Sequence, residues 1–311
     1  MSTPPCPDRT DYTSTIARIC IPVPSGLPLQ YTSFNAQSWG LVRIFKISAA
    51  IAIALYLLLL AILFFAQRSF LYFPSRTYVP LSQARANPAF QEFAVRTSDG
   101  IDLKGWYAPA TTRPFTIVFF HGNGDSLRTA APIANPYIAA GYGFLLTTYR
   151  GYSGMPGRPT EAGLYNDGRA YIQGLVDRGV ASNNILLFGH SLGTGVAVQM
   201  ATEFEVRGVM LLAPFLSIPR LASIHFPFLP SSLLVLDRFD NESKIGNIHS
   251  PLLIAVGNQD QVVPPSHGSR LYELANQPKE FHSFPGRGHN DAFDQFAPVS
   301  INWIARLLAQ P

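Results

Sequence analysis

Between Leu186 and Gly195 the chain runs Leu-Leu-Phe-Gly-His-Ser-Leu-Gly-Thr-Gly. An apolar run of β type stops at Gly189, offers one hydroxyl at Ser191, and resumes as Val196–Ala201, small residues that suit a helix. A strand that passes into a helix within so few residues must make a sharp corner, with Ser191 at its tip. A side chain at Gly189 or Gly193 would crowd that corner. If Ser191 is to act as a nucleophile, the chain must also supply a base, an acid to orient the base, and donors for an oxyanion.

The rest of the chain repeats the same alternation. Phe93–Thr97 and Ile101–Tyr107 flank a turn at Asp99-Gly100 and read as a leading antiparallel pair. Phe115–Phe120, Gly143–Thr148, Ile185–Phe188, Gly208–Leu212, Leu252–Val256 and Glu280–Phe284 are short, continuous apolar runs, the pattern of strands buried on both faces. Helical patterns fall at Leu127–Ala140, at Glu161–Arg178 with Thr160 as N-cap, and at Ser300–Ala309. Such alternation predicts a doubly wound, mostly parallel α/β sheet. One segment interrupts it: residues 215–248 carry Phe215, Phe226, Phe228, Leu233 and Leu234 without a strand and are expected to form a cap.

Ahead of the sheet, Ile47–Ala66 is uncharged and matches the roughly 20 residues that cross a bilayer's hydrocarbon core. It starts too far from Met1 for an ordinary signal peptide and is apolar on every side, which favours a single membrane anchor over a core helix. Arg43 and Lys46 precede it, and Arg68, Arg76 and Arg85 follow, so the flanking charges set no orientation. The expected organisation is a disordered tail (1–42), an anchor (43–68), a linker (69–90) and an α/β domain (91–311). Cys6 and Cys20 both lie in the tail, leaving the domain without a disulfide or a thiolate metal site. A net charge of +4 with no basic block argues against a nucleic-acid partner. The single sequon, Asn241-Glu242-Ser243, would permit glycosylation if the domain were luminal.

The base is expected in Gly286-Arg287-Gly288-His289, a glycine-rich loop after the last strand that can bring His289 to the sheet's carboxyl edge. The acid is expected at Asp260, just beyond Leu252–Gly257; Asp237 and Asp240 lie in the cap, and Asp291 is too close to His289 to orient it. The chain order Ser191, Asp260, His289 separates this arrangement from other folds that carry the same trio. Oxyanion donors are expected from the backbone N–H of Leu192, at a helix start, and of Asn123, in the loop His121-Gly122-Asn123-Gly124. No phosphate-binding, dinucleotide or metal-ligand spacing occurs, so no cofactor and no metal are expected.

These motifs, with Tyr149-Arg150-Gly151-Tyr152-Ser153-Gly154, Pro159–Leu164 and Asp260-Gln261-Val262-Val263-Pro264, resemble the α/β-hydrolase superfamily. More narrowly, the chain resembles the membrane-anchored α/β-hydrolase domain-containing proteins related to fungal bud-emergence proteins, over about Ser69–Ala309. It departs at Thr148, where that group usually has Asp, and mildly at Gly124, where Ala is usual. The resemblance implies an α/β-hydrolase sheet with an inserted cap and hydrolysis of an acyl ester or thioester: monoacylglycerol, lysophospholipid or S-acylated protein. A serine aminopeptidase and a non-catalytic membrane scaffold stay open as alternatives.

Overall fold

The computed structural model describes residues 36–309. The tail up to residue 35, with Cys6 and Cys20, lies outside the described residues. The chain divides into two units, one ending at Leu55 and the other starting at Tyr56. The first helix, α1 (Ala36–Leu71), is longer at both ends than the predicted anchor. It is the one helix among the described residues long and apolar enough to cross a membrane, with a mean hydropathy of 2.9 over its most apolar 18 residues, within Leu41–Leu71.

The second unit is built on an eight-stranded sheet ordered β1-β2-β4-β3-β5-β6-β7-β8. Its strands are β1 (Gln91–Arg96), β2 (Asp102–Ala108), β3 (Thr116–Phe120), β4 (Gly143–Leu146), β5 (Ile185–His190), β6 (Gly208–Leu212), β7 (Leu252–Gly257) and β8 (Lys279–Phe284). The β1–β2 and β2–β4 pairings are antiparallel, and every pairing from β4 to β8 is parallel. The central strands read as unbroken apolar runs because both faces are covered. Val118, Phe120, Leu187, Leu211 and Ile254 enter the core on one face, while Ile117, Phe119, Leu186, Phe188, Met210 and Leu253 enter the other.

The helices are α2 (Leu127–Ala130), α3 (Asn135–Ala139), α4 (Glu161–Val176), α5 (Leu192–Glu203), α6 (Ile218–His225), α7 (Ser231–Leu234), α8 (Asn241–Lys244), α9 (Pro265–Leu274) and α10 (Phe293–Leu308). The single helix predicted over Leu127–Ala140 is instead α2, a 3-10 turn and α3, with Pro132 and Pro136 each at the start of a new piece. Thr160 caps α4 as predicted, its hydroxyl accepting from the Gly163 amide at 3.0 Å. The closing helix starts at Phe293, well before Ser300, and carries Pro298 within its first two turns. Helix α9 was not predicted. The 215–248 segment folds as α6, α7, α8 and their connections. Its sequon is closed off: the Asn241 side chain is buried, with Nδ2 donating to the Phe215 carbonyl.

Candidate active site

Parallel register brings four strand ends to one rim. Phe120 of β3 lies opposite Gly189 of β5, and Gly257 of β7 opposite Phe284 of β8. The loops that leave these positions carry all the candidate residues, at the edge where open α/β sheets bind ligands.

At the β5 end, Ser191 takes φ 49° and ψ −117°, a left-handed conformation that costs a non-glycine residue on the order of 1–3 kcal/mol. The corner closes only because its flanks lack side chains. A Cβ on Gly193 would lie 1.9 Å from the Phe120 carbonyl oxygen, and one on Gly189 would lie 2.7 Å from the Gly193 oxygen. The turn therefore packs directly onto β3 and leaves the Ser191 hydroxyl half-buried at the rim.

The structure brings Ser191, His289 and Asp260 into one hydrogen-bonded chain. Ser191 Oγ is 2.8 Å from His289 Nε2, and His289 Nδ1 is 2.7 Å from Asp260 Oδ2. With the Nδ1 proton donated to Asp260, the Nε2 lone pair faces the hydroxyl, the tautomer a general base requires. Burial pushes the Asp260 carboxyl up, but the His289 ring and the amides of Val263 and Val262 more than offset it, holding the carboxyl below its ordinary range. Both amides donate to Oδ1 at 2.8 Å, which leaves Oδ2 for the imidazole. Asp237 and Asp240 do other work, pairing with Arg68 and capping α8. Asp291 accepts from the Gly288 amide within the base's own loop.

Leu192 is the first residue of α5, whose leading amides have no intrahelical acceptor. Asn123, in the loop after β3, has no acceptor for its amide among the described residues, while its side chain is fully engaged. Asn123 Oδ1 accepts from the Phe73 amide at 2.9 Å and from the Tyr152 hydroxyl at 2.7 Å, and Nδ2 donates to the Leu71 carbonyl at 2.5 Å. His121 is buried against Tyr149 and Tyr152, Gly122 lies against the His190 ring, and Gly124 turns the loop at φ 82°.

Some supports were not found by sequence reasoning. His190, within the corner itself, donates from Nε2 to the His289 carbonyl at 3.2 Å and packs its ring edge-on against Phe293. Burial lowers its pKa to about 3, so it serves as a neutral strut that fixes the His289 loop to β5. Gly257 lets the Asp260 and His289 loops cross: a Cβ there would lie 2.4 Å from the Arg287 oxygen. Its position at the end of an apolar run was the available signal. Thr148, which departs from the resembled group, is buried, and its hydroxyl has no partner among the described residues. Among the described residues no cluster of three or more His, Cys, Asp or Glu side chains is placed to hold a metal ion.

Comparison with known proteins agrees with this architecture. A family model described as "Serine aminopeptidase, S33" matches residues 113–239. An uncharacterized protein of Mycobacterium tuberculosis is 36% identical over 249 residues, covering 78% of this chain and 88% of its own. Human alpha/beta hydrolase domain-containing protein 17B is 33% identical over 214 residues, covering 67% of this chain and 72% of its own. The crystal structure of a Pyrococcus furiosus esterase superposes with a TM-score of 0.61 at 19% identity, covering 77% of this chain and 98% of its own.

Proposed function

The chain belongs to the α/β-hydrolase domain-containing family, a hydrolase of the esterase, lipase or serine aminopeptidase type, and we propose that it is a membrane-anchored serine hydrolase of acyl esters or thioesters. The observation that carries this reading is the continuous chain Ser191–His289–Asp260, at 2.8 and 2.7 Å, on a strained corner at the sheet's carboxyl rim. Residues 43–68 are the anchor, 69–90 the connection, and 91–311 the hydrolase domain with its cap at about 215–248.

In the reaction Ser191 Oγ attacks the acyl carbonyl as His289 Nε2 takes its proton, and Asp260 stabilises the imidazolium. The carbonyl oxygen, now negative, is held by the amides of Leu192 and Asn123. Collapse expels the alcohol or thiol, which leaves with the proton from His289. Water then enters and its oxygen attacks the acyl carbon as the same nitrogen takes its proton; the bond to Ser191 Oγ breaks, His289 returns the proton to that oxygen, and the acid leaves. The substrate class is an acyl lipid, such as a monoacylglycerol or lysophospholipid, or an S-acylated protein. An anchor that holds the site at a bilayer favours long acyl chains, which concentrate there.

A fluorophosphonate probe tests the nucleophile: it labels the wild-type chain in detergent and fails to label Ser191→Ala, while labelling that survives the substitution removes Ser191 from the role. p-Nitrophenyl esters test the substrate, with turnover expected to rise from acetyl to long-chain esters; a maximum at acetyl counts against the lipid reading. The aminopeptidase family match favours a second reading, and release of N-terminal residues from peptide amides would establish it. Folded protein that takes no probe would return the non-catalytic scaffold.

A further inference from the structure

The cap holds a stretch that behaves unlike the rest of the folded surface. From Leu221 to Leu236 the chain has no Asp, Glu, Lys or Arg, and its one titratable side chain, His225, is bonded to the Val262 carbonyl. Leu233 is 83% exposed and Phe228 60%, with Ile224, Phe226 and Leu236 each about half exposed. An apolar patch of this extent facing water would be costly for a soluble domain.

This stretch lies along the second half of α1. Gln67 donates to the Leu234 carbonyl and accepts from the Leu236 amide, and Arg68 pairs with Asp237 at 2.9 Å. Farther along the same helix, the Tyr56 hydroxyl donates to the Phe228 carbonyl at 2.7 Å. Tyr56 and Gln67 are separated by about 16 Å of helix at ~1.5 Å per residue. Tyr56 stands in the middle of the apolar run Ile47–Ala66, whereas Arg68 lies just past its end. The cap thus reaches from the charged margin of the run to its centre.

The backbone of the stretch also fits a medium without water, where irregular chain must find its partners within the protein. The amides of Phe226, Leu229, Ser231, Leu233, Leu234 and Val235 donate to carbonyls inside the stretch, and among the described residues only those of Phe228 and Ser232 between Phe226 and Leu236 lack an acceptor. Pro227 and Pro230 have no amide to satisfy, and the Leu236 amide is taken up by Gln67.

We infer that cap residues Ile224–Leu236 lie inside the apolar layer of the bilayer beside α1, with the Arg68–Asp237 pair at its margin. The occupant of the exposed face is lipid hydrocarbon. His225 joins this segment to the loop of Asp260, so the immersed face adjoins the catalytic rim and an acyl chain could pass between them without crossing water. The inference rests on the anchor reading of α1 and does not depend on the reaction.

The test uses full-length Cys6→Ser/Cys20→Ser protein in phosphatidylcholine vesicles, with one added cysteine carrying an environment-sensitive NBD dye. Leu233→Cys probes the cap, Leu58→Cys probes α1, and Glu205→Cys, exposed at the amino end of β6 away from the rim, serves as the aqueous reference. The expected result is blue-shifted emission at positions 233 and 58, quenched by doxyl-labelled lipid and protected from iodide, with the reverse at 205. A position-233 probe that stays aqueous while position 58 is quenched overturns the inference and leaves the anchor standing. A blue-shifted 233 probe insensitive to lipid-borne quencher also overturns it, since protein then covers the face. If 58 and 233 both stay aqueous, the anchor reading falls as well.

Discussion

Asp167 on α4 and Asp260 in the loop after β7 both have side chains withdrawn from solvent, and both receive three donors from their partners. Their carboxyls nevertheless move in opposite directions. Burial raises Asp167 to about 6 in spite of the bonds from Arg150. At Asp260 the His289 ring and two backbone amides outweigh burial, and the carboxyl is held low. Asp260 stands at the rim of the sheet, where desolvation is weaker; Asp167 lies on a buried face of α4 beneath Arg150. The partners differ as well. Arg150 is a permanent cation shared with Asp99, suited to holding the Tyr149–Gly154 loop, whereas the His289 ring has one nitrogen bonded to Asp260 and the other facing the Ser191 hydroxyl. One carboxylate serves the loop's position, and the other, in the function proposed above, the reaction.

The sharpest way to break this contrast is Asp260→Asn. Asn Oδ1 can keep the Val262 and Val263 amides, but Nδ2 then faces His289 Nδ1 and forces the proton onto Nε2, where it cannot accept from Ser191. Esterase kcat/KM is expected to fall about 10⁴-fold with little change in stability; a loss under tenfold would show that Asp260 does not set the tautomer. Arg150→Met should do the opposite, costing roughly 3–5 kcal/mol of stability by stranding the Asp167 charge while folded molecules keep their turnover. Because a carboxyl raised above its unfolded value favours folding at acid pH and loses that contribution as pH rises through about 6, the deficit should narrow at pH 5 relative to pH 8. Urea denaturation in detergent at both pH values reads this, and an equal deficit would count against a stranded charge.

His190→Gln is expected to act next most strongly. The neutral ring, lowered to about 3, stabilises the fold above the unfolded imidazole value near 6.5, and that contribution is lost as pH falls. The wild type should therefore lose roughly 3 kcal/mol more than the variant between pH 7 and pH 4. Matching acid limbs in thermal melts would remove His190 from the account. The smallest effect is expected at Thr160→Ala, which removes the cap of the helix carrying Asp167 and should cost ~1 kcal/mol with unchanged kcat.

Which parts were legible in the sequence follows from how local their causes are. The buried strands could be read because covering both faces makes each an apolar run, and the positions of Ser191, Asp260 and His289 followed from where those runs end. The break at Pro132 and Pro136 was written in the residues, but the periodic pattern across Leu127–Ala140 concealed it. Helix α9 was missed because Pro264-Pro265 and Gly268 read as loop, although Pro265 sits in the first turn, where its missing amide does no harm. His190, Gly257 and the Asn123 side chain act through neighbours 99, 30 and 52 residues away, and no local pattern encodes such distances.

The grip of Asn123 on the exit of α1 bears on how a soluble form of this enzyme must be cut. Its side-chain amide meets the chain at Leu71 and Phe73 much as a neighbouring strand would, with one bond given and one received. The residues at the end of α1 and just past it are thus the floor on which the proposed oxyanion loop rests. A fragment starting at Gln67 keeps that floor, whereas one starting at Tyr78 keeps Ser191, Asp260 and His289 but leaves the loop beside them unsupported.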